Sequence, residues 1–143
     1  MNGGVKVRVE LVGASHSARD ARRLITRTLQ EWGLEHLEEY AALLVSEVVT
    51  NAVLHARSDL AVELERRADV VRVTVSDGSP RQPQRRRHGL SASTGRGLAL
   101  VVSLASDWGS AAGADPWQKD VWFELPLDAG RLADPGEGAL DRI

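Results

Sequence analysis

Glu47, Asn51 and His55 recur at every fourth position within 43–56, LLVSEVVTNAVLHA. Read as a helix of about 3.6 residues per turn, the three lie on one slowly drifting stripe. Leu44, Val45, Val48, Ala52 and Leu54 flank them with mostly apolar surface. A carboxylate, a carboxamide and an imidazole set among aliphatic side chains are costly unless something satisfies them. A metal-bound nucleotide would satisfy all three. The alternative is an amphipathic helix whose polar stripe faces water.

Two later stretches carry complementary chemistry. The segment 70–77, VVRVTVSD, reads as a strand that ends in Asp77 and is followed by Gly78. A carboxylate there can accept a hydrogen bond from the exocyclic amine of adenine, a donor that guanine lacks at that position. Asp-Gly is also an ordinary turn dipeptide. The segment 93–102, STGRGLALVV, reads as a glycine-rich turn that opens an apolar helix. Gly95 and Gly97 permit close backbone approach, and the N–H groups of a helix start favour phosphate. Arg96 can add charge to the same site.

An acid–Asn helix, a strand ending Asp-Gly and a Gly-x-Gly helix, in that order, resemble the ATP site of the GHKL superfamily, which includes gyrase, Hsp90, histidine kinases and MutL. Within it the chain is similar to the small, single-domain anti-sigma-factor serine kinases, over about residues 5–127. The resemblance implies an α+β fold: a two-layer α/β sandwich (the Bergerat fold) whose mixed, mostly antiparallel sheet is covered on one face by three helices. It implies ATP and Mg²⁺ as cofactors, with Asn51 as the metal ligand and Glu47 as the general base. It places Asp77 and Gly78 at the base, and Thr94, Gly95, Arg96, Gly97 and Leu98 at the phosphates. His55 either orients phosphates or caps the helix C-terminus, where a cation is favoured.

The activity so implied is phosphorylation of an anti-sigma-factor antagonist by a protein serine/threonine kinase that also sequesters a sigma factor. A nucleotide-gated protein-binding regulator without phosphotransfer is the alternative. The resemblance also implies a homodimer formed through the N-terminal strand and a partner contact at Arg19. Two positions depart from the pattern. The superfamily's Asp-x-Gly is here Asp77-Gly78-Ser79, and Asp120 stands where relatives commonly carry threonine before the last apolar strand. Two carboxylates brought together would repel, so either Asp120 points away from Asp77 or nucleotide binding is weakened.

Composition bounds these readings. A chain of 143 residues, 43% hydrophobic and 27% charged, suits one soluble globular domain. The net charge of −2 argues against non-specific nucleic-acid binding. With no cysteine, disulfides and thiolate-bound metals are excluded, and a cytoplasmic location is compatible. No apolar run approaches the roughly 18 residues needed to span a bilayer.

The elements that must position the site follow from periodicity. Alternation over 5–12 predicts a first strand, suited to a sheet edge. A helix over 18–32 follows, capped by Ser15 or Ser17, with Arg19, Arg22, Arg23 and Arg27 off its apolar face and Gly33 ending it. A second helix runs over 35–56, with Leu37, Tyr40, Ala41, Leu44, Val48 and Ala52 facing the core. Strands over 60–66 and 70–76 are joined by a short polar loop. The stretch 78–94, with Arg85, Arg86 and Arg87, has no hydrophobic period and reads as a long loop where the superfamily carries its ATP lid. A third helix over 97–105 and closing strands over 107–111 and 120–127 complete a domain of 1–127, followed by a flexible tail, 128–143. Trp108, Trp117 and Trp122 read as packing residues.

Overall fold

The computed structural model describes residues 5–56, 58–79 and 105–129, excepting the side chains of His55 and Ala56. The chain order is β1 (Val5–Leu11), α1 (Ser17–Glu31), a single 3₁₀ turn (Glu35–Leu37) running into α2 (Glu38–Ala56), β2 (Leu60–Arg66), β3 (Val70–Asp77), β4 (Asp107–Ala112) and β5 (Lys119–Pro126). The strands form one sheet in the order β1-β2-β3-β5-β4. Every pairing among the described residues is antiparallel. The expected sandwich is therefore present, with its sheet wholly antiparallel over this range and α1 and α2 as its described helices. The expected third helix, 97–105, lies outside the described residues except for Ala105.

Strand alternation builds one apolar face. Leu60, Val62 and Leu64 of β2, Val71, Val73 and Val75 of β3, and Phe123 and Leu125 of β5 are all buried. They pack with Ala21, Ile25 and Leu29 of α1 and with Ala41, Leu44, Val45, Val49 and Ala52 of α2. Each large aliphatic side chain so buried contributes roughly 1.5–3 kcal/mol relative to exposure. On α2 the core stripe is centred one residue further round than the sequence suggests. Val45 and Val49 are fully buried, whereas Tyr40 and Val48 are half-buried and Leu54 is exposed. The cause is that α2 packs on both α1 and the sheet, which widens its buried face.

Helix α1 ends as Gly33 suggests. Gly33 has φ 75°, its N–H donates to the Gln30 carbonyl, and the Leu34 N–H donates to the Leu29 carbonyl. This is the Schellman arrangement, with Leu34 and Leu29 both in the core. Arg66 at the end of β2 satisfies a further terminal carbonyl, donating to Trp32 at 2.9 Å. The start of α1 corrects the expected serine cap. His16 holds the cap position and no side chain caps the helix. The Ser17 hydroxyl instead turns back, donating to the Val12 carbonyl and accepting from the Ala14 N–H. It fastens the bend between β1 and α1.

The opposite sheet face carries charge. Lys6 and Arg8 pair with Glu63, Arg67 with Glu65, and Arg72 with Glu124. Arg72 also stacks over Trp122, its guanidinium carbon 3.9 Å from the ring centroid. Trp122 lies close over Gly109, where a Cβ would stand 2.9 Å from the ring. β1 and β4 are the sheet edges, and Val5 is 54% exposed on the first of them.

Candidate functional site

Glu47 and Asn51 sit on the margin of the buried stripe of α2, both half-buried. Glu47 Oε1 is itself buried and is, among the described residues, the one buried side-chain oxygen or nitrogen without a hydrogen-bond partner. An oxygen left in that state costs roughly 1–3 kcal/mol. Such costs are tolerated where a group is held ready for a ligand or a proton. His55 lies in the last turn of α2, and its side chain is outside the described residues.

Asp77 is the last residue of β3 and is 1% exposed. It lies on the helix-covered face, in the cross-strand rung Leu11, Leu60, Asp77, Lys119 and Ala112. Leu60 beside it is fully buried, so the carboxylate shares with Lys119 a rung whose other members are apolar. Its Oδ1 accepts the Ser79 N–H at 2.8 Å, and its Oδ2 lies 3.4 Å from Lys119 Nζ. Lys119 is 8% exposed.

A second contact set holds the Asp77–Gly78 turn against the end of α2. Ser58, two residues beyond that helix, accepts the Gly78 N–H at 2.9 Å and donates to the Asp59 carbonyl at 2.8 Å. Its own carbonyl is covered by Gly13, where a Cβ would stand 2.0 Å from the Ser58 oxygen. The Gly13 position thus admits no side chain, because backbone passes over backbone. Through Ser58, the turn bearing Asp77 is tied to the helix bearing Glu47 and Asn51. Gly78 is likewise tight, with a Cβ there reaching 3.3 Å from Ser58.

The register settles the question raised by Asp120. Asp77 is opposite Lys119, and Ser76 is opposite Asp120. Neighbouring residues of a strand point to opposite faces, so Asp120 points away from Asp77. It is held on the open face by the Ser76 hydroxyl, which donates to Oδ1 at 2.6 Å. The two carboxylates do not share a site. Sequence reasoning passed over Lys119 and Ser58. Lys119 was legible once β3 and β5 were paired in register; Ser58 carried no signal beyond being a turn residue.

Thr94, Gly95, Arg96, Gly97 and Leu98, together with Arg85, Arg86 and Arg87, lie outside the described residues. The described part can nevertheless be tested against a metal-nucleotide. A partnerless buried carboxylate oxygen, a half-buried carboxamide one turn later and a buried acid at a strand end form a hard-oxygen and acceptor set. That set fits Mg²⁺, which needs few protein ligands beside phosphate oxygens and water. No group of three or more His, Cys, Asp or Glu side chains among the described residues forms a metal cluster by itself. None of the described helices is long and apolar enough to cross a membrane.

A family model described as a histidine kinase-like ATPase domain matches residues 13–123. A search of curated proteins gives no match to the chain. The matched range runs from the bend after β1 into β5 and includes Glu47, Asn51, Asp77, Gly78, Lys119 and the 94–98 segment.

Proposed function

The chain belongs to the histidine kinase-like ATPase family, whose fold implies ATP binding, and on that premise we propose a regulatory protein serine/threonine kinase of the anti-sigma-factor kind, dependent on ATP and Mg²⁺. Its protein substrate is an anti-sigma-factor antagonist, and it sequesters a sigma factor. The observation that carries this reading is Glu47: a buried, partnerless carboxylate oxygen one helical turn before Asn51.

When bound, Mg²⁺–ATP would supply an electrophilic γ-phosphoryl group whose charge the metal partly neutralises. Asn51 would hold the metal through its carboxamide oxygen, which adds no charge to the site. Glu47 accepts the proton of the attacking serine or threonine hydroxyl, since its Oε1 has no competing partner among the described residues. Asp77 would hold the exocyclic amine of the base. Ser58 and Gly13 keep that acid in fixed relation to α2. Phosphoryl transfer asks little covalent chemistry of the protein, so positioning of this kind supplies much of the rate.

The partner surface in this proposal is the exposed basic face of α1. Arg19, Arg23 and Arg27 are exposed there, and Arg22 donates to Ser46 of α2 at 3.0 Å. Such a face fits an acidic protein surface. A homodimer through the outer edge of β1 belongs to the same proposal, since among the described residues no strand lies beside that edge.

The test is incubation with labelled ATP, Mg²⁺ and extract of the native host, followed by phosphoamino-acid analysis of the labelled protein. Labelled serine or threonine that disappears with Glu47→Ala is the expected result. Nucleotide-dependent co-purification of a partner with no label transferred would instead mean a nucleotide-gated binding module.

A further inference from the structure

We propose that Leu43 of α2 is the docking point for the polypeptide that carries the phosphoacceptor hydroxyl, and that this segment presents an apolar side chain beside its serine or threonine. The inference rests on the kinase reading above and deepens it, by giving the side from which the substrate enters and the chemistry it offers.

The direction follows from three placements along α2. Asp77, which would hold the base, is tied through the Gly78 N–H to Ser58, just beyond the C-terminal end of the helix. Asn51, the proposed metal ligand, lies further back along the helix, and Glu47 one turn before it, about 6 Å along the axis. A nucleotide held at these points has its base toward the C-terminal end of α2 and its γ-phosphate toward the N-terminal end. In phosphoryl transfer the attacking and leaving oxygens lie roughly in line across the phosphorus. The bond from the acceptor oxygen forms opposite the bond that breaks to the diphosphate, and the hydroxyl proton goes to Glu47. The diphosphate carries the base, so the acceptor hydroxyl comes from the N-terminal side of Glu47.

The surface met on that side is Leu43. It precedes Glu47 by four residues, and Tyr40 precedes Leu43 by three, the spacings that make side chains neighbours on a helix. Leu43 is 41% exposed and Tyr40 is half-buried. α1 covers another flank of α2: Arg22 donates to Ser46, which points about 100° round the helix from Glu47. A single exposed leucine is ordinary on a protein surface, and exposure alone decides nothing. Leu43 is set apart by its place, one turn from a carboxylate whose Oε1 has no partner among the described residues, on the side that in-line attack requires. Leu54, also exposed, lies beyond Asn51 toward the base and is not part of this surface. An acceptor segment laid over Leu43 must cover it with apolar atoms, because a charge placed there would lose water and gain no partner.

The test takes as substrate the protein that the wild type labels in host extract, isolated by that label. Its KM is expected to rise at least about tenfold with Leu43→Glu and about tenfold with Leu43→Ala, the second variant guarding against misfolding of the first. Leu43→Met, which keeps an apolar side chain of similar volume, should restore KM to near the wild-type value. The Kd of Mg²⁺–ATP by calorimetry should stay within about twofold throughout, since only protein-substrate binding is removed. Mapping of the labelled serine or threonine should find a large apolar residue within about two positions of it, the reach of one helical turn. An unchanged KM in folded Leu43→Glu and Leu43→Ala overturns the proposal and leaves the kinase reading standing. So does a labelled site with no apolar neighbour, or a loss of ATP affinity that matches the rise in KM. No label transferred by folded wild type would overturn both.

Discussion

The Glu47 carboxylate combines two properties that a structural residue does not need together: an oxygen removed from water and, among the described residues, no partner for it. Natural chains accept such a cost where activity requires it, so stability and activity should separate at this position. Glu47→Met removes the unsatisfied oxygen while keeping an unbranched side chain. It should raise the unfolding free energy by about 1 kcal/mol, read as a higher melting temperature, and abolish phosphotransfer. A lower melting temperature would show that the carboxylate is satisfied in solution. The helical spacing of Glu47 and Asn51 was legible in the sequence because the 3.6-residue period fixes which residues share a face. What could not be read there was the partner of Asp77. Cross-strand neighbours depend on register, and Lys119 lies forty-two positions away by residue number. The same register turned the apparent clash of Asp120 with Asp77 into two separate pairs on opposite faces.

Elements in this molecule are joined by contacts that sequence periodicity does not encode. The bounds of β2 and β3 followed from alternation, and the stop of α1 from Gly33, because both are local properties. The start of α1 did not follow from its serines. Ser17 is drawn into the bend before the helix by the Val12 carbonyl and the Ala14 N–H, and this tertiary demand overrides its capping preference. The meeting of Gly13 with Ser58 is of the same kind. It brings the β1–α1 bend over the α2–β2 turn, and the turn in turn holds Gly78. Gly13→Ala would drive a methyl group into a backbone oxygen, so a loss of about 1–3 kcal/mol in stability is expected, with the melting temperature falling by several degrees. An unchanged melting curve would mean that the two turns do not meet in solution.

On the scale of the whole molecule, a two-layer arrangement leaves one sheet face for the core and one for water. The core-facing side carries the acid–lysine rung at one end. The water-facing side carries the charge pairs and the Arg72–Trp122 stack. This division was legible from strand alternation, and the edge position of β1 was expected from its being the first strand. The return of β5 to pair between β3 and β4 was not, since strand order depends on how the chain crosses from β3 to β4. The central claim is that Glu47 and Asn51 of α2 and Asp77 at the end of β3 serve one magnesium-nucleotide site. Calorimetric titration of ATP, with and without Mg²⁺, into the wild type and Asn51→Ala tests it most directly. Asn51 supplies the proposed metal ligand, so ATP should bind the wild type only with Mg²⁺ and should not bind the variant, which must remain folded by circular dichroism. Equal binding to both proteins, or affinity indifferent to Mg²⁺, would contradict the account.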